Sequence, residues 1–288
     1  MSTVGICGAG TMGSGIAIVA AQAGHRVLLY DTDAAAAAAG TARVSQFLDR
    51  SVALGKLDQA RRDAAVAALT ATSELGDLEP CEVVVEAVFE DLAVKQALLA
   101  ALDDICSATT LFHSNTSTLS VTAIAAGSRY PERVVGTHYC NPAPLMKLVE
   151  VVKARQTSDA TYERTREYLA GVRKTTVTTE DTPGFIVNRF LIPFENDCIR
   201  ALAAGRGTVE SIDTAITKGL RYPMGPFTLL DVVGLDIHQA VSLSLHEQLR
   251  DPKFAPPPLV GQMIAAGHLG RKTGRGFYTY DDTRLFGS

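Results

Sequence analysis

The chain of 288 residues has no basic excess, no long apolar run and no paired cysteine motif. Its 27 Lys and Arg are outnumbered by 31 Asp and Glu, for a net charge of -4, so the cationic surplus that grips a phosphate backbone is missing. Nucleic acid is not an expected partner. No stretch approaches the roughly 18 to 20 uninterrupted apolar residues of a membrane span. With 47% hydrophobic residues, the chain is also too apolar to be disordered. The five cysteines, Cys7, Cys81, Cys106, Cys140 and Cys198, are odd in number and contain no CxxC pair. That argues against a disulfide framework or a structural zinc site and points to reduced thiols in the cytoplasm. The start, MSTVGICGAG, lacks the basic and apolar segments of a cleaved leader.

At about 150 residues per domain, the length predicts two compact units. The first half alternates short β-branched runs with helical patterns. Val4 to Cys7, Arg26 to Tyr30, Glu82 to Ala87, Thr110 to Ser114, Arg133 to His138, Leu148 to Val152 and Thr175 to Thr179 read as strands. Helices are predicted from the glycine-rich segment to Ala23, from the alanine run capped by Asp33 to about Leu69, over Leu92 to Cys106 and over Leu119 to Ala126. Such alternation implies an open α/β sheet covered on both faces. After Thr182-Pro183-Gly184 the patterns are helical only: Phe185 to Ala204, Val209 to Lys218, Pro226 to Val233, Asp236 to Leu249 and Pro257 to Ala265. The boundary is placed near Gly184, with residues 1–184 binding nucleotide and residues 185–288 forming an all-helical second domain.

Between the first strand and the first helix stands GAGTMG, Gly8 to Gly13. Gly8 permits a tight turn, Gly10 lets a pyrophosphate approach the backbone, and Gly13 allows the helix to pack closely on the strand. The helix N-terminus, from Thr11 and Met12, adds amides and positive dipole. Asp31 follows at the end of the second strand. This is the pattern of a Rossmann-type, doubly wound dinucleotide fold. The Asp31 carboxylate suits a ribose hydroxyl and repels a 2′-phosphate, and no Lys or Arg precedes Arg43 to offset it, so NAD is preferred to NADP.

Ligands of such sheets lie beyond the carboxyl ends of the strands. Ser114 to Ser117, His138, Glu90 and Asn141 all fall there. His138 is the natural general base for a hydroxyl proton, because imidazole titrates near neutral pH. Glu150, inside the apolar strand LVEVV, must be exposed or paired, and it is the best carboxylate to orient the ring. Each residue also has a plain structural use: a packed strand-end histidine, and a glutamate facing solvent from an edge strand.

Taken together, VVEAVFEDLAVK, SNTSTLS, GTHYCNPAPLMKLVEVV, DTPGFIVNR, YPMGPFTLLDVVGLD and KTGRGFYTY resemble the L-3-hydroxyacyl-CoA dehydrogenase family, especially its short bacterial members acting on 3-hydroxybutyryl-CoA. The resemblance runs over nearly the whole chain. It implies that His138 is the base, that Glu150 is its partner, and that Ser117 and Asn188 bond the substrate oxygen. It also implies contacts to NAD from Glu90, Lys95, Ser117, Asn141 and Lys272, and a homodimer through the helical domain. Two departures stand out. Tyr139-Cys140 replaces the usual pair of aromatics after the histidine. The CoA contacts of the helical segment are not matched singly; Arg43, Arg50, Lys56, Arg61 and Arg62 against Asp49 and Asp58 instead leave a local charge of +3, either a site for CoA phosphates at residues such as Arg50 and Lys56 or a solvated helix face. Three readings follow: an NAD-dependent dehydrogenase of a 3-hydroxyacyl thioester carried by CoA or a carrier protein, the same scaffold acting on a free hydroxy acid, and a non-catalytic NAD-binding protein.

Overall fold

The computed structural model describes residues 2–281, which divide into two compact units between Phe185 and Ile186. In the first, β1 (Thr3–Cys7), α1 (Thr11–Gln22), β2 (Arg26–Tyr30), α2 (Ala34–Ala53), α3 (Gln59–Ala67) and β3 (Leu69–Thr72) form one half of the sheet. β4 (Val83–Glu86), α4 (Leu92–Ile105), β5 (Leu111–Ser114), α5 (Val121–Ala125) and β6 (Val134–Tyr139) follow, then β7 (Leu148–Lys153), α6 (Asp159–Gly171) and β8 (Thr175–Glu180). The eight strands run β3-β2-β1-β4-β5-β6-β7-β8, and every pairing is parallel except that of β6 with β7.

Because side chains alternate along a strand, each face has its own core. Val4, Ile6, Val83, Val85, Leu111, Val135, Val149 and Val151 pack on one side with residues of α1, α2, α3 and α6. Cys7, Val84, Phe112, Val134 and Val152 pack on the other with Leu99 and Leu102 of α4 and with Val121, Ile124 and Ala125 of α5. The polar residues Glu86, Ser114, His138 and Glu150 have the parity of this second face.

Strand β3 begins where the expected helical stretch ends, at Leu69, and is an element the sequence pattern does not predict. Four residues, LTAT, at the sheet edge, none of them buried, leave no period-two signal to read. Asp33 caps α2, accepting from the Ala35 amide at 2.9 Å.

In the second unit, α7 (Val187–Ala203), α8 (Val209–Thr214), α9 (Pro226–Val233), α10 (Leu235–Leu249) and α11 (Pro258–Ala265) pack around Ile199, Phe227, Leu230, Leu235 and Val260. α7 starts two residues later than expected because Gly184 and Phe185 have φ of 81° and 48°, outside the right-handed helix. A π-helical turn over Ala215–Gly219 replaces the end of the expected helix. Two carboxylates tie the final segment to these helices: Asp231 accepts from the amides of Phe277 and Tyr278 at 2.9 and 2.8 Å, and Asp213 accepts from the Tyr278 hydroxyl at 3.1 Å. Among the described residues, no helix is long and apolar enough to cross a membrane.

Candidate active site

The glycine loop lies between β1 and α1, beside the switch point where β1 has β2 on one side and β4 on the other. Gly8 has φ of 97°, and a Cβ there would stand 2.6 Å from the Ala87 carbonyl oxygen. A Cβ on Gly13 would meet the Gly8 oxygen at 1.7 Å. Gly10, by contrast, has open space around it and is exposed, as is Thr11, while Met12 is half-buried. This is the cradle that a pyrophosphate needs: free amides at the start of a 12-residue helix with no acidic side chain in its first turn. Asp31 accepts from the Ala9 amide at 2.9 Å and from the Asp33 amide at 3.3 Å, which fixes its carboxylate at the rim of the loop. The residues present therefore fit a dinucleotide with an unphosphorylated ribose.

Along the carboxyl ends of β4, β5 and β6 lies a second constellation. The antiparallel register pairs His138 of β6 directly with Glu150 of β7. Residues opposite each other on such a ladder share a face. Accordingly His138 Nδ1 lies 2.7 Å from Glu150 Oε2, with both residues buried. The other ring nitrogen, Nε2, lies 3.1 Å from the Ser117 hydroxyl. Phe185 packs against the imidazole, the ring centroids 5.6 Å apart.

Ser117 belongs to a loop held at both ends. Glu90 Oε1 accepts from the Thr116 hydroxyl at 2.6 Å and from the amides of Ser117 and Thr118 at 2.8 and 2.9 Å. Burial pushes the Glu90 carboxyl up, but Lys95 and these hydrogen bonds outweigh it and bring it below the usual carboxylate range. At the far end Asp181 accepts from Ser120 Oγ and from the Val121 and Thr122 amides at 2.7 to 2.8 Å. Asn115 accepts from the Tyr139 amide at 3.0 Å, joining the same loop to β6.

The structure thus brings together Ser117, Glu90, His138 and Glu150. Asn141 is exposed just past β6. Asn188 stands half-buried in the first turn of α7, in the second unit, where Lys272 pairs with Asp236 at 2.6 and 2.7 Å. Lys95, expected as a cofactor contact, is fully buried, with its ammonium 2.7 and 3.0 Å from Glu86 and 3.3 Å from Glu90.

The pairings of this basic segment include the two acids already counted in its +3 charge. Arg62 pairs with Asp49 and Asp63 at 2.7 and 3.1 Å, and Arg61 pairs with Asp58 at 3.3 Å. Arg43 turns back to donate to the Ala9 carbonyl. Arg50 stays half-buried near the end of α2, and Lys56 is exposed just beyond it. Tyr139 points into the opposite core, so only Cys140 changes the surroundings of the dyad. Burial and the Glu150 carboxylate push its thiol up to about 11, which keeps it neutral.

Sequence reasoning passed over Glu86, Phe185 and Asp181. For Glu86 a signal existed, a glutamate closing the run VVV, which must be paired when its neighbours are buried.

Residues 3–182 match the family described as 3-hydroxyacyl-CoA dehydrogenase, NAD binding domain, and residues 184–280 match its C-terminal domain. A 3-hydroxybutyryl-CoA dehydrogenase of Mycobacterium tuberculosis is 43% identical over 279 residues, covering 96% of this chain and 98% of that protein. Among solved structures, M. tuberculosis FadB2 is similar with a TM-score of 0.94 at 42% identity, covering 96% and 98% of the two chains. The (S)-3-hydroxybutyryl-CoA dehydrogenase PaaH1 of Ralstonia eutropha is similar with a TM-score of 0.90 at 39% identity, covering 98% and 100%. A glycine cradle for NAD, a histidine on a buried glutamate and two consecutive domain matches across nearly the full length lead to one conclusion: the chain belongs to the 3-hydroxyacyl-CoA dehydrogenase family.

Proposed function

We propose that the protein interconverts an L-3-hydroxyacyl thioester of short chain, such as 3-hydroxybutyryl-CoA, and the corresponding 3-ketoacyl thioester, with His138 as general acid and base. The observation that carries this reading is the line Glu150, His138, Ser117, with separations of 2.7 and 3.1 Å. A carboxylate accepts only, so Glu150 holds the proton of the neutral ring on Nδ1 and leaves the Nε2 lone pair facing the reacting oxygen. His138 Nε2 takes the hydroxyl proton as the C3–H bond breaks and the carbonyl forms, and in reverse it returns that proton to the carbonyl oxygen. NAD supplies the hydride chemistry, accepting at nicotinamide C4 in oxidation and donating from it in reduction. The imidazolium that forms is balanced by buried Glu150, where low polarity strengthens the pairing. Ser117 holds the substrate oxygen. Gly8, Gly10, Thr11, Met12, Gly13 and Asp31 would hold NAD, with further contacts from Glu90, Ser117 and Asn141, and Lys95, buried between Glu86 and Glu90, would act through Glu90.

The protein works in the cytoplasm, consistent with its five unpaired cysteines, and as a homodimer through residues 185–288. Exposed Phe190, Leu220 and Leu243 on the second unit support that assembly.

The test is NADH oxidation with acetoacetyl-CoA, with acetoacetyl carrier protein and with free acetoacetate. Rapid oxidation with the CoA ester is expected. Turnover of the carrier-protein ester alone moves the substrate to that carrier, and activity with neither thioester overturns the proposal. Repeating the assay with NADPH checks Asp31, and a preference for NADPH contradicts its role.

A further inference from the structure

Glu86 closes β4 and carries no role in the chemistry above, yet it is 2% exposed and bonded to the two segments that build the site. Its carboxylate holds the Lys95 ammonium with both oxygens, at 2.7 and 3.0 Å, and accepts from the Ser114 hydroxyl. A buried ion pair adds little to stability compared with apolar residues of the same volume, because desolvating both charges offsets their attraction. The arrangement calls for another reason. We propose that Glu86 is a positioning residue for proton transfer: through Lys95 and Ser114 it sets the loop that presents Ser117 to His138.

Two lines of contact run from Glu86 to that loop. In one, two carboxylates compete for a single ammonium. Lys95 sits closer to Glu86, at 2.7 Å, than to Glu90, at 3.3 Å. Glu90 meets Lys95 through Oε2, which leaves Oε1 turned to the Thr116 hydroxyl and to the Ser117 and Thr118 amides. Without the Glu86 charge, Glu90 is the one carboxylate left to Lys95, so closer pairing at Oε2 turns the carboxylate and re-aims the Oε1 that holds the loop. In the other line, Ser114 Oγ donates to Glu86 and accepts from the Thr116 amide at 3.3 Å. Both lines meet one residue before Ser117, whose hydroxyl stands 3.1 Å from the proton-transferring nitrogen. Proton transfer depends steeply on that kind of alignment, and a misplacement of about 1 Å can cost about 10²-fold.

The inference rests on the dehydrogenase reading for its kinetic consequence but not for its structural one, so it is tested both ways. Glu86→Gln keeps the shape and removes the charge. Amide hydrogen exchange over residues 114–120 should accelerate in this variant while the other strands keep their protection. With acetoacetyl-CoA and NADH, kcat should fall several-fold, up to about the tenfold loss of Ser117→Ala, with KM little changed. The same substitution placed on Ser117→Ala should add no further loss, because Glu86 acts through Ser117. Unchanged exchange in residues 114–120 overturns the proposal whether or not any thioester is turned over. Losses that multiply in the double variant also overturn it, as does an unchanged kcat. If Glu86→Gln does not fold, Ser114→Ala cuts only the second line, and it should give a smaller loss with the same dependence on Ser117.

Discussion

Among the described residues there are two buried histidine–glutamate pairs, one in each unit, and only one of them suits chemistry. His138 Nδ1 lies 2.7 Å from Glu150 on adjacent antiparallel strands; His238 Nδ1 lies 3.0 Å from Glu195 between α10 and α7. The near nitrogens are therefore alike, and the difference is at the far ones. Nε2 of His138 meets the Ser117 hydroxyl, which can rotate to donate or accept, beside a half-exposed loop. Nε2 of His238 meets Asn196 Oδ1 at 3.0 Å, and that oxygen cannot turn away. The Asn196 amide donates to Ser242 Oγ at 3.0 Å and to the Lys253 carbonyl, while Ser242 in turn donates to the Phe254 carbonyl at 2.6 Å. Directions are forced along this chain, so His238 Nε2 must keep its proton. A histidine on a glutamate becomes a base only where its second nitrogen can gain and lose a proton.

The sharpest way to break this comparison is to remove each imidazole. Both His138→Ala and His238→Ala strand a buried carboxylate, so each should lose about 3 to 5 kcal/mol in denaturant unfolding. Per folded molecule, only His138→Ala should lose turnover, by about 10² to 10⁴-fold. Turnover lost equally in His238→Ala, with the protein folded, ends the distinction. A smaller effect comes from the groups at the far nitrogens. Ser117→Ala should lower kcat about tenfold, the equivalent of one hydrogen bond, with little change in melting. Asn196→Ala should instead reduce stability by about 1 to 3 kcal/mol, through the unsatisfied His238 and Ser242, with kcat unchanged.

The smallest effect concerns pH and has opposite signs in the two units. Glu90 sits below the ordinary carboxylate value, so its contribution to stability is present above that value and lost as pH falls through the lowered one. Burial pushes Glu195 up despite the pull of His238, so its contribution is present in acid and declines as pH rises from the ordinary value through the raised one. Relative to wild type, Glu90→Gln should therefore be penalised less as the solution is acidified, and Glu195→Gln less as it is made alkaline. Melting temperatures measured across pH 3 to 8 check both slopes, and parallel slopes contradict the assigned environments.

Much of the first unit was legible in the sequence, because its signals are local. GAGTMG, the strand runs and the Asp33 cap each declare themselves within a few residues. What was hidden depends on contacts distant along the chain. The 12-position separation of His138 and Glu150 says nothing about antiparallel register until β7 is seen folding back on β6. Arg43 counts as a free cation in a charge sum but is 34 residues from the Ala9 carbonyl it reaches. Glu86 signals only that it needs a partner, and the partners, Lys95 and Ser114, are 9 and 28 residues away. The order of β3 was hidden for the opposite reason: its four residues are too few and too exposed to carry a pattern.

The single antiparallel join in the sheet has a consequence for how the protein can change over generations. Substitutions along β6 and β7 leave His138 and Glu150 opposite each other, but one residue inserted or deleted within Gly136–Tyr139 or Val149–Val152 reverses the facing of everything beyond it. A slip of one position sets Val149 or Val151 against the imidazole and buries Glu150 in the opposite core, with no partner. The pair should therefore tolerate drift in spelling far better than drift in length. Length can vary more safely in the connecting turn, where Asn141, Leu145, Met146 and Lys147 are exposed.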